Sequence, residues 1–214
     1  MFPYPFSFLG TTESGLDQLD NDYYMEFNGV DDYIDCGNDS SLQFAGSFSI
    51  SVWAKLSDSG NNALVSKDSH IGQGNGYHVD FRSGSEVHAW AYKAVDKLTA
   101  TGLATGIWYH IVFVFESTGG ANGNQYLYID GSEDSNNSIT SFVASTTTDL
   151  RIGTSEIVTG YFTTGNIDEV AYWNVVLTPT EIKDIYDATD IPGKKCADLS
   201  SMTTPPVAWY RMGD

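Results

Sequence analysis

Apolar and polar residues alternate with a period of two along most of this chain. In "SFSISVWAKL" (47–56), Phe48, Ile50, Val52 and Ala54 fall on one side, and the serines with Trp53 fall on the other. That pattern predicts a strand with one face in a core. "GYHVDFR" and "EVHAWAYK" alternate likewise across "SGS" and predict a hairpin. "IWYHIVFVFE" (107–116) is apolar on both faces, which predicts a central strand covered on both sides. Shorter strands are read in "YYMEF", "YIDCG", "QYLYIDG", "LRIG" and "GNIDEVAYW", with turns at Asn28-Gly29 and Asp130-Gly131. The period changes to 3.6 once, in "TPTEIKDIYD". There Thr178 suits the N-cap, Pro179 the first helical position, and Glu181 completes a capping box. Ile182, Ile185 and Tyr186 then share one helical face. About ten short strands and one helix predict an all-β, antiparallel two-sheet sandwich with a short C-terminal helix.

The ends of the chain break the pattern. Residues 1–22 read as an extended arm, because "MFPYPFSF" sets Phe2, Tyr4, Phe6 and Phe8 among prolines and proline favours an unpaired backbone. So many rings need cover, either on their own domain or on a neighbouring subunit. The polar "TTESGLDQLDND" that follows reads as a linker. Residues 23–187 form the domain, and 188–214 form an extension ending in a further strand, "PPVAWYRMGD". The abrupt stop suggests a chain cut from a longer protein, or a strand that pairs with a partner.

Composition narrows the function classes. The 214 residues suit one sizeable core, and 21 glycines with 14% aromatics suit strands and turns. A formal net charge of -18 repels phosphate backbones, so nucleic acid is not an expected partner, whereas cations would be attracted. No stretch is long and apolar enough to span a membrane, and "MFPYPFSFLG" does not read as a secretory signal. The expectation is a cytoplasmic protein, or one that leaves without a signal, as in a virus particle released by lysis. Cys36 and Cys196 either pair or remain thiols, since sequence cannot place two Cβ atoms within bonding reach.

Five segments in one order carry a resemblance: "FNGVDDYIDCG", "SFSISVWAKL", "WYHIVFVFE", "LYIDG" and "GNIDEVAYWNVVLTPTEIKDIYD". Over roughly residues 23–187 the chain resembles the laminin-G-like, concanavalin A-like lectin/glucanase jelly roll. Its wording, with the "VAWYRMGD" ending, is also similar to structural proteins of marine tailed phages. The resemblance implies a jelly-roll sandwich, and it leaves function open, because one fold hosts lectins, adhesion modules and enzymes.

Candidate chemistry is sparse. Glucanases of this fold carry Glu-x-Asp-x-x-Glu on one strand, and that spacing is missing here. Asp168 and Glu169 are adjacent, so on a regular strand they face opposite sides. His78 and His88 can face each other across the 77–92 hairpin, where satisfied sheet histidines are expected rather than a zinc site. The resemblance implies structural calcium through Asp168, with oxygens from Asn28 and Gly29; calcium takes six to eight hard oxygens. The alternative is an Asp168 that bonds amides and staples the N-terminal strand. Glu169 reads as solvated or salt-bridged. The Asp- and Asn-rich loops 57–62, 66–76 and 132–138 read as plain turns. Trp90 and Tyr92, with Tyr77 across the hairpin, form a candidate sugar-binding face, with core packing as the alternative. The expectation is therefore a non-enzymatic virion appendage or decoration protein. It would assemble through its arm with other virion proteins or copies of itself, and present a lectin-like sandwich. The rival is a carbohydrate-binding adhesion module of a larger extracellular protein, with cell-surface glycan as partner.

Overall fold

In a computed structural model, the described residues are 15–68, 75–82, 85–91, 96–155, 161–189 and 195–212. Among them the chain forms fifteen strands and one α-helix. The larger sheet runs β11 (Ser132–Ile139), β10 (Asn122–Ile129), β9 (Tyr109–Gly119), β4 (Phe48–Leu56), β13 (Thr164–Trp173). The far edge of β13 is shared by β2 (Met25–Asn28) and β15 (Ala208–Tyr210). The second sheet runs β3 (Ile34–Asp35), β12 (Arg151–Ile152), β5 (Asn62–Asp68), β6 (Gly76–Arg82), β7 (Glu86–Ala91), β8 (Leu98–Thr101). A small ribbon pairs β1 (Gln18–Asp20) with β14 (Lys195–Ala197). The ladders are antiparallel throughout.

Alternation fixes which side chains meet. Phe48, Ile50 and Val52 of β4, Ile111, Phe113 and Phe115 of β9, and Tyr77, Val79 and Phe81 of β6 are buried together between the two sheets. Phe48 is the hub, with ring contacts to Phe44, Tyr77, Phe113, Phe115 and Phe142. As the sequence predicts for a strand apolar on both faces, β9 is central and buries Val112 and Val114 on its other side. That outer face is covered by α1 (Pro179–Ala188), through Ile182, Ile185 and Ala188. The predicted capping box is present, Thr178 accepting from the Glu181 amide and Glu181 from the Thr178 amide.

Three expectations change in detail. The Asn28-Gly29 turn does not close a hairpin: β2 pairs with β13 and β3 with β12, so the chain crosses there from one sheet to the other. The expected linker contains β1, held by β14. The last strand pairs within its own chain, Val170 lying opposite Tyr210. Both cysteines are free thiols. The aromatic residues of the arm, Phe2, Tyr4, Phe6 and Phe8, lie outside the described residues, as does Tyr92.

Candidate functional site: the outer face of the six-stranded sheet

The two sheets differ in what their outer faces carry. The larger sheet buries the middle of its outer face under α1. The six-stranded sheet turns polar side chains outward in cross-strand rows. Asp35, Arg151, Ser66, His78 and Trp90 form one row, and Asp80, His88 and Thr99 the next. Arg82 and Glu86 follow. Such a face would ordinarily be solvated, yet His78 and Asp80 are fully buried.

Buried charge demands partners, and the cluster supplies them. His78 lies between Asp68 (Nδ1 to Oδ2, 3.5 Å) and Asp80 (Nε2 to Oδ2, 3.3 Å), at ion-pair rather than hydrogen-bond geometry. Its ring stacks on Trp90, with centroids 4.3 Å apart and planes 8° apart. Asp80 also takes Arg82 Nη2 at 2.6 Å and Nε at 2.7 Å. His88 reaches Asp80 at 3.7 Å and Glu86 at 2.9 Å. Burial alone would lower the pKa of His78; Asp68 and Asp80 outweigh it and raise the value to about 9. Burial would raise Asp80, but His78 and Arg82 hold it below the usual carboxylate range. The face therefore holds an ionised network at neutral pH.

The rim of this face is aromatic and partly exposed. The Arg82 guanidinium lies over Tyr161 (4.9 Å) and donates to its hydroxyl from Nη1 at 3.0 Å. Arg151 lies over Tyr33 at 5.2 Å, and Tyr33, 45% exposed, meets Phe162 at 6.5 Å. Arginine with five N–H groups has capacity beyond the three described contacts of Arg82.

The sequence-predicted residues are only partly united. Trp90 is on this face, buried against His78. Tyr77 is not: it pairs with Ala91, points into the core and packs on Phe44 and Phe48. Opposite Trp90 stands His78 instead. His78 and His88 share the face but do not stand opposite each other: His88 is opposite Asp80, which joins the two. The alternation of "GYHVDFR" and "EVHAW" carried the signal for this network, but only the turn register tells which alternate set meets which.

Asp168 does not meet Asn28 or Gly29. Asn28 pairs with Thr164, four residues along β13, and its Oδ1 already accepts from the amides of Val30, Asp31 and Asp32. Asp168 is buried and accepts from Asn21 Nδ2 (3.0 Å) and the Glu169 amide (2.9 Å). Donors face this carboxylate where calcium would need oxygens, so these three residues do not fit one calcium shell. Asp168 instead ties down the segment before β2. A bulge separates the two acids: Glu169 has φ +48° and the register breaks between Asp168 and Ala171. Glu169 is buried rather than solvated, accepting from Trp209 Nε1 at 2.6 Å with Arg211 at 3.7 Å. Among the described residues no three His, Cys, Asp or Glu are arranged to hold a metal ion.

A serine–histidine contact lies under α1: Ser51 Oγ is 2.8 Å from His110 Nε2. The adjacent cavity, lined by Ser51, Trp53 and Glu169, measures about 10 Å³. That admits one water and no substrate, so the pair is structural.

A family model described as "Concanavalin A-like lectin/glucanases superfamily" matches residues 28–183. No curated protein matches the chain by sequence. Among solved structures, a heptameric SAP-like pentraxin from Limulus polyphemus is similar at TM-score 0.57 and 14% identity, covering 79% of this chain and 83% of its own. A putative carbohydrate binding protein from Bacteroides ovatus is similar at 0.59 and 14%, covering 93% of this chain and 52% of its own. The botulinum neurotoxin serotype D ligand binding domain, solved with N-acetylneuraminic acid, is similar at 0.58 and 15%, covering 83% and 47%. This chain thus spans about half of the last two.

Proposed function

The chain belongs to the concanavalin A-like lectin/glucanases superfamily, and from that premise we propose that it is a non-catalytic carbohydrate-binding module using the outer face of its six-stranded sheet. The observation that carries this reading is the rim, where Tyr33 and Tyr161 stand beside Arg151 and Arg82. Sugar rings present C–H faces that stack on aromatics and hydroxyls that need donors and acceptors. Arg82 is held in place from behind by buried Asp80, which His78, itself stacked on Trp90, fixes in turn. Such preorganisation lowers the cost of binding a flexible ligand. Glycosidic chemistry would need a carboxylic acid kept protonated near neutrality; Asp80 is shifted the other way. The likeness to a carbohydrate binding protein and to a domain solved with N-acetylneuraminic acid agrees with the reading.

A virion role rests on the arm residues Phe2, Tyr4, Phe6 and Phe8 and on wording similar to phage proteins. A glycan-binding module serves equally on a virion or in an extracellular protein. A glycan array decides the main reading. The full chain is expected to bind a defined set of glycans, and Tyr33→Ala and Tyr161→Phe to weaken that binding by about three- to tenfold. An array without hits, from protein verified as folded, would remove the reading.

A further inference from the structure

The opposite sheet has its own open end. Helix α1 covers the outer face of the larger sheet only as far as Tyr186, which stacks on Trp53 with planes 8° apart and centroids 5.8 Å apart. Beyond that stack, Tyr24 meets Trp108 edge to face at 5.6 Å. Lys55 Nζ lies 5.5 Å from the Tyr24 ring centre and 5.4 Å from that of Trp108, bracing both. Tyr24 is 46% exposed, and Ile107 beside Trp108 is 52% exposed. Glu26, Asn166 and Lys55 make one cross-strand row of β2, β13 and β4 alongside the rings. Phe27 of β2 points into the core, so Glu26 is on the outer side with Lys55.

We propose that Tyr24, Trp108 and Lys55, with Glu26, form a second saccharide platform on the back of the module, making it bivalent. The inference rests on the carbohydrate-binding reading above. The occupant follows from chemistry. The exposed Tyr24 ring and the half-buried Trp108 beside it offer stacking area, and the row alongside supplies a cationic donor, Lys55, and an anionic acceptor, Glu26, two strand spacings apart across β13. A pyranose uses all of these at once. An apolar protein surface would have to desolvate Lys55 and Glu26 to sit there. The Lys55 brace fixes the ring pair before binding, so little ordering is needed.

The test labels the full chain with 5-fluorotryptophan and assigns the Trp90 and Trp108 resonances with Trp90→Phe and Trp108→Phe. Lactose, cellotetraose and 3′-sialyllactose are then titrated. Expected is a saturable shift of Trp108 with at least one probe, weakened about fivefold or more by Tyr24→Ala, with the Trp90 response unchanged. Tyr24 is exposed, so its replacement leaves the core intact. If Trp90 responds and Trp108 stays silent, the back platform is wrong and the front reading stands. If neither responds to any probe, both are wrong. If Tyr24→Ala instead lowers the mass in light scattering from dimer to monomer, the patch is an interface between copies and the platform is overturned.

Discussion

Two histidines set how this molecule responds to pH, with opposite signs. His78 has its folded pKa raised to about 9 by Asp68 and Asp80, against the burial that would lower it. It binds its proton more tightly when folded. Its contribution is complete below the unfolded value near 6.5 and is lost as pH climbs towards 9. His110 is the reverse case. Burial lowers its value to about 3, with Ser51 on Nε2 and Asp130 bonded to its backbone amide. The unfolded chain takes a proton there before the folded one does, so stability falls as pH drops from about 6.5 towards 3. Together they predict a stability maximum near neutral pH. The alkaline loss is on the order of 1–3 kcal/mol for the strongly coupled His78. Urea midpoints measured from pH 4 to pH 9.5 should trace this dome, and His78→Gln should flatten its alkaline side. An unchanged alkaline slope in that variant would mean that His78 is not charged in the fold.

At the scale of elements, strands with alternating faces and the one helix were legible, because period and caps are local properties. The helix gives a sharp check. Thr178→Ala removes one half of a capping box that satisfies two backbone amides, so unfolding free energy should drop by about 1 kcal/mol. Chemical denaturation would read it, and a loss under a few tenths would show the cap to be idle. What the sequence concealed was register. Arg82 pairs with Glu86, so Tyr77 falls opposite Ala91 and His78 opposite Trp90. One residue more or less in that turn would exchange the two sets. Because Tyr77 sits on the wrong side of that exchange, the expected Trp90–Tyr77 pair dissolved, and a charged network took its place. The expected grouping of Asn28 with Asp168 is missing for a related reason: motif proximity put the two together, whereas the β2–β13 register puts Asn28 opposite Thr164.

For the whole molecule, the family match at 28–183 invites the view that the ends are dispensable, and the packing argues otherwise. The ribbon of β1 and β14 places Ala197 against the helix-side cluster, with Leu199 and Met202 following. Strand β15 completes the edge of β13, and its Trp209 donates to buried Glu169, with Arg211 close by. Trp173, fully buried, donates its indole N–H to the Thr204 carbonyl. A fragment of residues 23–187 would lose all of these at once. It would leave Glu169 in its bulge without the Trp209 donor, and a hydrogen bond to a charged group contributes about 1.5–3 kcal/mol. Against a typical total of about 5–15 kcal/mol, that loss, added to the uncovered cluster around Val112, Ala171 and Trp173, should abolish cooperative unfolding. The fragment should therefore bind a hydrophobic dye and melt without a sharp transition, while the chain from residue 15 to 212 melts as one unit. A 23–187 fragment that unfolds cooperatively, within about 1 kcal/mol of the longer chain, would show that the ends are accessories rather than part of the sandwich.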